Sequence, residues 1–165
     1  MNRVKAPQQL SAATLRKLAL EAGMPRAYSL SGKTTSLTAR RMYVDGAAYL
    51  AGDAYFNTRF DSPHLTVNSE RGLKINFHTP KDNALVLIAV HGQEINGNGA
   101  IAKLMHDSLS PDPQAPGAVT TTPVAPVIPF AVQCGKADWY AVYLTLEGLP
   151  WYRIDRVDVS LFSES

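Results

Sequence analysis

Five residues, Ser31-Gly32-Lys33-Thr34-Thr35, look like the end of a phosphate-binding loop, in which backbone N–H groups and a lysine cradle phosphate oxygens. Such a loop needs a glycine five residues before Gly32, a buried strand ahead and a helix behind. Ala27 stands at the first position, Pro25 interrupts the approach, and TTSLTARR is a poor helix former. Nucleotide binding is not expected here. His64, His78, His91 and His106 include no pair four residues apart, the spacing that sets two metal ligands on one helical face. His78 and His91 fall at the ends of two expected strands, where Glu94 would complete a shared site. The plainer reading makes all four surface or hydrogen-bonded structural residues.

Nucleophilic catalysis finds no G-x-S-x-G elbow, and Cys134, the only cysteine, has no catalytic signature around it. It is expected to pack as a small apolar side chain at a strand end. No disulfide within the chain and no cysteine-rich zinc site follow from one cysteine, and no motif calls for a cofactor. The glycine-rich loop around Gln93–Gly99 would offer N–H groups to an anion if a helix follows it, or simply connect two elements. Tyrosine and tryptophan concentrate in Tyr43–Tyr55 and Trp139–Tyr152. Aromatic rings there would stack on sugars or bases if exposed. Strand aromatics more commonly pack inside, so this reading ranks low.

Charge is more uneven than the net +2 suggests. Residues 1–41 carry Arg3, Lys5, Arg16, Lys17, Arg26, Lys33, Arg40 and Arg41 against Glu21 alone, a balance of +7, leaving −5 on the remainder. A basic segment of this kind, with Arg26, Lys33, Arg40 and Arg41 as its candidate contacts, seeks an acidic partner. That partner is either nucleic acid or the acidic body of a neighbouring copy. The chain starts charged, without the apolar core of a secretion signal, so synthesis in the cytosol is expected. No run of about 18 apolar residues suggests a membrane helix.

The elements that must hold these residues are mostly strands. Ser11–Gly23 reads as a capped helix with Leu15, Leu18, Ala19 and Ala22 on one face, resting on another element. Residues 29–41 read as a loop or exposed strand, and Asp45-Gly46 as a hairpin turn. Leu73–His78 alternates as a half-buried strand, while Ala84–His91 is apolar throughout, as in a strand covered on both faces. Thr79–Asn83 between them has turn composition, so the two are expected to form a hairpin. Ala100–Leu109 shows helical spacing at Ile101, Leu104, Met105 and Leu109. Asp138–Glu147 alternates, and Tyr152–Phe162 changes phase near Asp155-Arg156, the mark of a bulge. One domain is expected, divided into a basic helix and loop segment (1–41), a β-rich half ending in a helix (42–109), a proline-rich arm (110–129) and C-terminal strands (130–165). The fold class is mainly β: an antiparallel β-sandwich or partly open barrel with two short helices and a long extended arm.

Six prolines between Ser110 and Pro129 exclude helix and central strand from that arm. Its PVAPVIPF end is apolar, and in a repeating assembly Val124, Val127, Ile128 and Phe130 would bury themselves on a neighbouring subunit. The function expected from this is a non-enzymatic structural subunit, such as a bacteriophage capsid, decoration or tail component carried into a virion. Its partners would be other copies of itself. A nucleic-acid-associated protein using the basic segment comes second, and an enzyme with a scattered site third.

Overall fold

A computed structural model describes residues 10–57, 63–95, 100–106, 119–148 and 150–164 of the 165-residue chain. Among the described residues two antiparallel sheets form a β-sandwich with one helix outside it, in agreement with the expected mainly β class. The first helix is α1 (Ala12–Glu21). Ser11 caps it, its Oγ accepting from the Thr14 N–H at 3.2 Å. Gly23, at φ +87°, closes the last turn, with the Met24 N–H reaching back to the Ala19 carbonyl and the Gly23 N–H to Leu20.

Sheet I is organised around β13 (Trp151–Glu164). One edge of β13 pairs with β8 (Leu85–Ile95), which pairs in turn with β11 (Val127–Gln133). Its other edge takes β6 (His64–Val67), β2 (Thr35–Leu37) and β1 (Tyr28–Leu30) in succession, and β5 (Tyr55–Asn57) pairs with β6. A register shift between Ile154 and Arg156 is the bulge that the phase change signalled. Sheet II runs in the order β10 (Val119–Pro123), β9 (Ile101–His106), β12 (Trp139–Glu147), β7 (Leu73–His78), β4 (Ala48–Gly52), β3 (Tyr43–Val44).

The main core lies between the sheets, where Phe77, Ile75, Leu104 and Leu144 of sheet II meet Ile88, Phe130 and Tyr152 of sheet I. A second core lies outside sheet I, where Leu15, Leu18, Ala19 and Met24 cover Leu85, Leu87, Ala89 and Phe162. Strand β8 is therefore buried on both faces, as its unbroken apolar run requires.

Three expectations are corrected. β7 and β8 are not a hairpin: they belong to different sheets. β7 alternates and needs one covered face, whereas β8 needs two, so the six residues between them cross the sandwich. That crossing is tied to the β11–β12 link by Thr79 N–H to the Asp138 carbonyl, Asn83 N–H to the Gly135 carbonyl and Ala137 N–H to Asp82. The expected second helix is strand β9 over its described part, with residues 107–109 outside the described residues. Ala102 and Leu104 are buried while Ile101 and Met105 are exposed, and ladders to β10 and β12 satisfy its backbone on both sides. A helix would leave those two ladders unmade.

The proline-rich arm is likewise not an arm for a neighbour. From Val119 onward it supplies β10 and β11, the edge strands of sheets II and I. Pro123 and Pro129 sit in those edges, where a missing N–H breaks no interior ladder. Ile128 and Phe130 are buried in the chain's own core, Val124 packs against it, and Val127 packs on the helix cluster. Residues 110–118 lie outside the described residues.

Candidate aromatic binding face

With the core between the sheets and α1 on sheet I, no other described element covers the outward phase of sheet II. On β12 that phase is Trp139, Ala141, Tyr143 and Thr145; on β7 it is Lys74, Asn76 and His78; β4 adds Tyr49 and Ala51. The hairpin at Asp45-Gly46, with Gly46 at φ +69°, brings Tyr43 of β3 opposite Tyr49. Tyr43 is 61% exposed, Tyr49 37% and Trp139 39%. Their rings are contiguous: centroids lie 6.4 Å apart for Tyr43 and Tyr49, and 5.7 Å for Tyr49 and Trp139. The His78 ring follows at 5.5 Å from Trp139. Neighbouring planes tilt by 41°, 51° and 52°, so the rings form a curved surface rather than a flat one.

The border of this face is fixed by hydrogen bonds. Tyr43 Oη donates to Asp45 at 3.0 Å, which together with the carboxylate charge raises the phenol pKa. Asp138 Oδ1 accepts from the Trp139 N–H at 2.7 Å. Asp53 accepts from Tyr143 Oη at 2.8 Å and from the Gly72 N–H at 3.0 Å. Those donors hold the Asp53 carboxyl below its ordinary value, while burial and Asp53 push the Tyr143 phenol up. Gly72 is required at this junction, because a Cβ there would lie 2.5 Å from Tyr143 Cζ.

A second polar cluster sits on sheet I. Asp158 is fully buried and accepts from Ser36 Oγ at 2.6 Å, while its other oxygen lies 2.9 Å from His91 Nε2 and 3.1 Å from Arg156 Nε. Burial pushes this carboxyl up, but the hydrogen bonds from His91 and Ser36 and the Arg156 charge outweigh it, and the net shift is downward. Ser, His and Asp meet here with the aspartate in the middle. A hydrolytic triad needs the histidine between the other two, so this cluster is a structural lock and not a nucleophile. A second aromatic group, Tyr55 with Trp151 at 5.1 Å, is already stacked by the Arg71 guanidinium 4.0 Å from the Tyr55 centroid. A cleft of about 370 Å³ between the C-terminus of α1 and sheet I is lined by Met24, Tyr28, Leu85 and Ala131 and holds no acid or base pair.

The sequence-derived candidates scatter over this frame. Arg26, Lys33, Arg40 and Arg41 are exposed in three separate loops, α1–β1, β1–β2 and β2–β3. The Ser31–Thr35 segment joins two short strands, no helix follows it, and Thr34 Oγ1 is hydrogen-bonded to Ser160 at 2.9 Å. His78 and His91 lie in different sheets, His64 is buried in β6, and His106 ends β9. Glu94 Oε1 accepts from the Ala100 N–H, and no cluster of metal-ligating side chains forms among the described residues. Residues 96–99 of the glycine-rich loop lie outside the described residues, but a strand and not a helix comes after them. Cys134 is buried just beyond β11, as expected.

From sequence, stacking on sugars or bases is the minor expectation for these aromatic runs, and the structure exposes three of their rings on one face. Its signal was present in the alternation of β12: Val142, Leu144 and Leu146 form the phase suited to a core, which turns Trp139, with Ala141 and Thr145, outward.

No family model matches the chain, and no curated protein matches it in sequence. Solved structures do match in shape. A family 35 carbohydrate-binding module from Clostridium thermocellum has a TM-score of 0.48 at 11% identity, over 78% of this chain and 98% of that one. A low-affinity xylan-binding module from Roseburia intestinalis has a TM-score of 0.44 at 15% identity, over 79% and 96%. The C-terminal family 6 module of a laminarinase from Zobellia galactanivorans has 0.43 at 10%, over 78% and 99%. The expected structural subunit, with copies of itself or nucleic acid as partner, is corrected by the fold. From Val119 onward, the apolar arm on which it rested is folded into the chain's own two sheets, with Ile128 and Phe130 in its own core.

Proposed function

We propose that the chain is a non-catalytic carbohydrate-binding module whose binding surface is the outer face of sheet II. The observation that carries this reading is the contiguous row Tyr43–Tyr49–Trp139–His78 on a sheet face that no helix covers among the described residues. Exposed aromatic rings side by side are costly in water and mark a surface that a ligand covers. A pyranose ring offers C–H groups on its faces and hydroxyls around its rim. The faces stack on Tyr and Trp rings, and the rim meets the nitrogens of β7. Tilted rings suit one twisted polysaccharide chain better than a flat crystalline array.

The test is calorimetric titration with soluble xylan, β-1,4-galactan and laminarin. The wild type should bind at least one of them, and Trp139→Ala should weaken that binding at least about tenfold, the loss of one stacking contact. Its folding stability should change by no more than about 1 kcal/mol, since Trp139 lies outside both cores. Binding of none of the three polysaccharides, or tighter binding to a single-stranded oligonucleotide, would sink the proposal.

A further inference from the structure

Strand β7 lies between β12 and β4, and Asn76 at its centre faces Ala141 on one side and Tyr49 on the other. Strands that flank a third are about 9.5 Å apart. The Tyr49 and Trp139 centroids are nevertheless only 5.7 Å apart, so the two rings close the gap across β7. Asn76 is only 6% exposed at this position, and its Nδ2 has no hydrogen-bond acceptor. Buried polar groups in folded proteins nearly always have a partner, so such a donor calls for an explanation. The carboxylates bordering the face already take donors from the chain itself: Asp45 from Tyr43, Asp53 from Tyr143 and Gly72, Asp138 from Trp139. What this face leaves unmet at its centre is a donor.

We infer that Asn76 is the specificity-determining residue of the face. The sugar enters by parting Tyr49 and Trp139, and one of its oxygens, a hydroxyl or carbonyl acceptor, takes the Nδ2 hydrogen. This inference rests on the carbohydrate-binding reading. It adds that the site is closed when empty, and that the chain gives up stability at Asn76 in order to bind.

Stability and binding must therefore move in opposite directions at this residue. Asn76→Leu removes the unmet donor and keeps a similar shape, so it should melt above the wild type. Asn76→Asp keeps the shape and loses the N–H. Both variants should bind about tenfold more weakly than wild type in titrations with xylan, β-1,4-galactan and laminarin, the worth of one hydrogen bond to a desolvated partner. In the wild type, the Asn76 side-chain amide signals in nitrogen–proton NMR spectra should shift as the bound polysaccharide is added. If Asn76→Leu binds as tightly as wild type while Trp139→Ala does not, the face binds sugar but Asn76 takes no part, its N–H being met by the aromatic rings. An Asn76 amide signal that stays in place during a titration in which the Trp139 indole signal moves overturns the inference equally. If the wild type binds none of the three, the carbohydrate reading falls and this one with it.

Discussion

The two sheets turn opposite kinds of surface outward. The outer phase of sheet I carries Leu85, Leu87, Ala89 and Phe162, which water would wet at a cost, and α1 covers them with Leu15, Leu18 and Ala19. Beyond the helix that face continues as the Asp158 network, whose donors and acceptors are matched within the chain. The outer phase of sheet II carries Tyr, Trp, His, Asn, Lys and Thr, side chains with a polar end that tolerates water and an apolar body that prefers a ligand. Nothing among the described residues covers it. One sandwich thus has a face built for stability and a face left available, and the division follows from which residues occupy the outward positions of the same two-residue alternation.

If that division is right, damage to sheet I should cost stability without changing the geometry of binding. The largest effect is expected for Asp158→Ala, which leaves the largely buried Arg156 without its carboxylate. About 3–5 kcal/mol should be lost in denaturant unfolding, while binding to the polysaccharide that the wild type prefers persists in the fraction that folds. Leu15→Ala should lose somewhat less, about 2–4 kcal/mol, because it hollows only the helix-side core. Polysaccharide affinity should again be unchanged. A large loss of affinity in either variant, measured where it is folded, would show the two faces to be coupled.

The smallest effect concerns pH. Asp158 and Asp53 both have carboxyl pKa values held below normal in the folded chain, so the unfolded chain takes up their protons first as the solution is acidified. Their contribution is present in full above about pH 4, the ordinary carboxylate range, and fades as pH falls through the lower folded values. Thermal melts should show this decline, and Asp158→Ala should flatten it. A decline as steep in the variant as in the wild type would mean that the lock on sheet I is not what acid releases.

The local elements were legible because each has a short-range cause. Ser11 and Gly23 bound α1, Asp45-Gly46 turns the β3–β4 hairpin, the phase change near Asp155 is a bulge, and alternation gives β7 and β12. The misreadings all concern partners. Ile101, Leu104 and Met105 fit a helix as well as a strand until β10 and β12 are present to bond β9 on both sides. Thr79–Asn83 has hairpin composition, but the strands it joins require different numbers of covered faces and go to different sheets.

Sequence by itself determined that this chain is mainly antiparallel β, a sandwich or a partly open barrel, with a capped helix resting on it. Hydrophobic period, turn residues and caps act within a few residues and need no knowledge of the rest. Only the tertiary structure decided that the proline-rich segment, from Val119 onward, forms one edge strand of each sheet. It also decided that Tyr43, Tyr49, His78 and Trp139, nearly a hundred residues apart at the extremes, share the outer face of sheet II. Strand order is set by which faces can be buried together, a property of the whole sandwich, and no local stretch of the chain contains it.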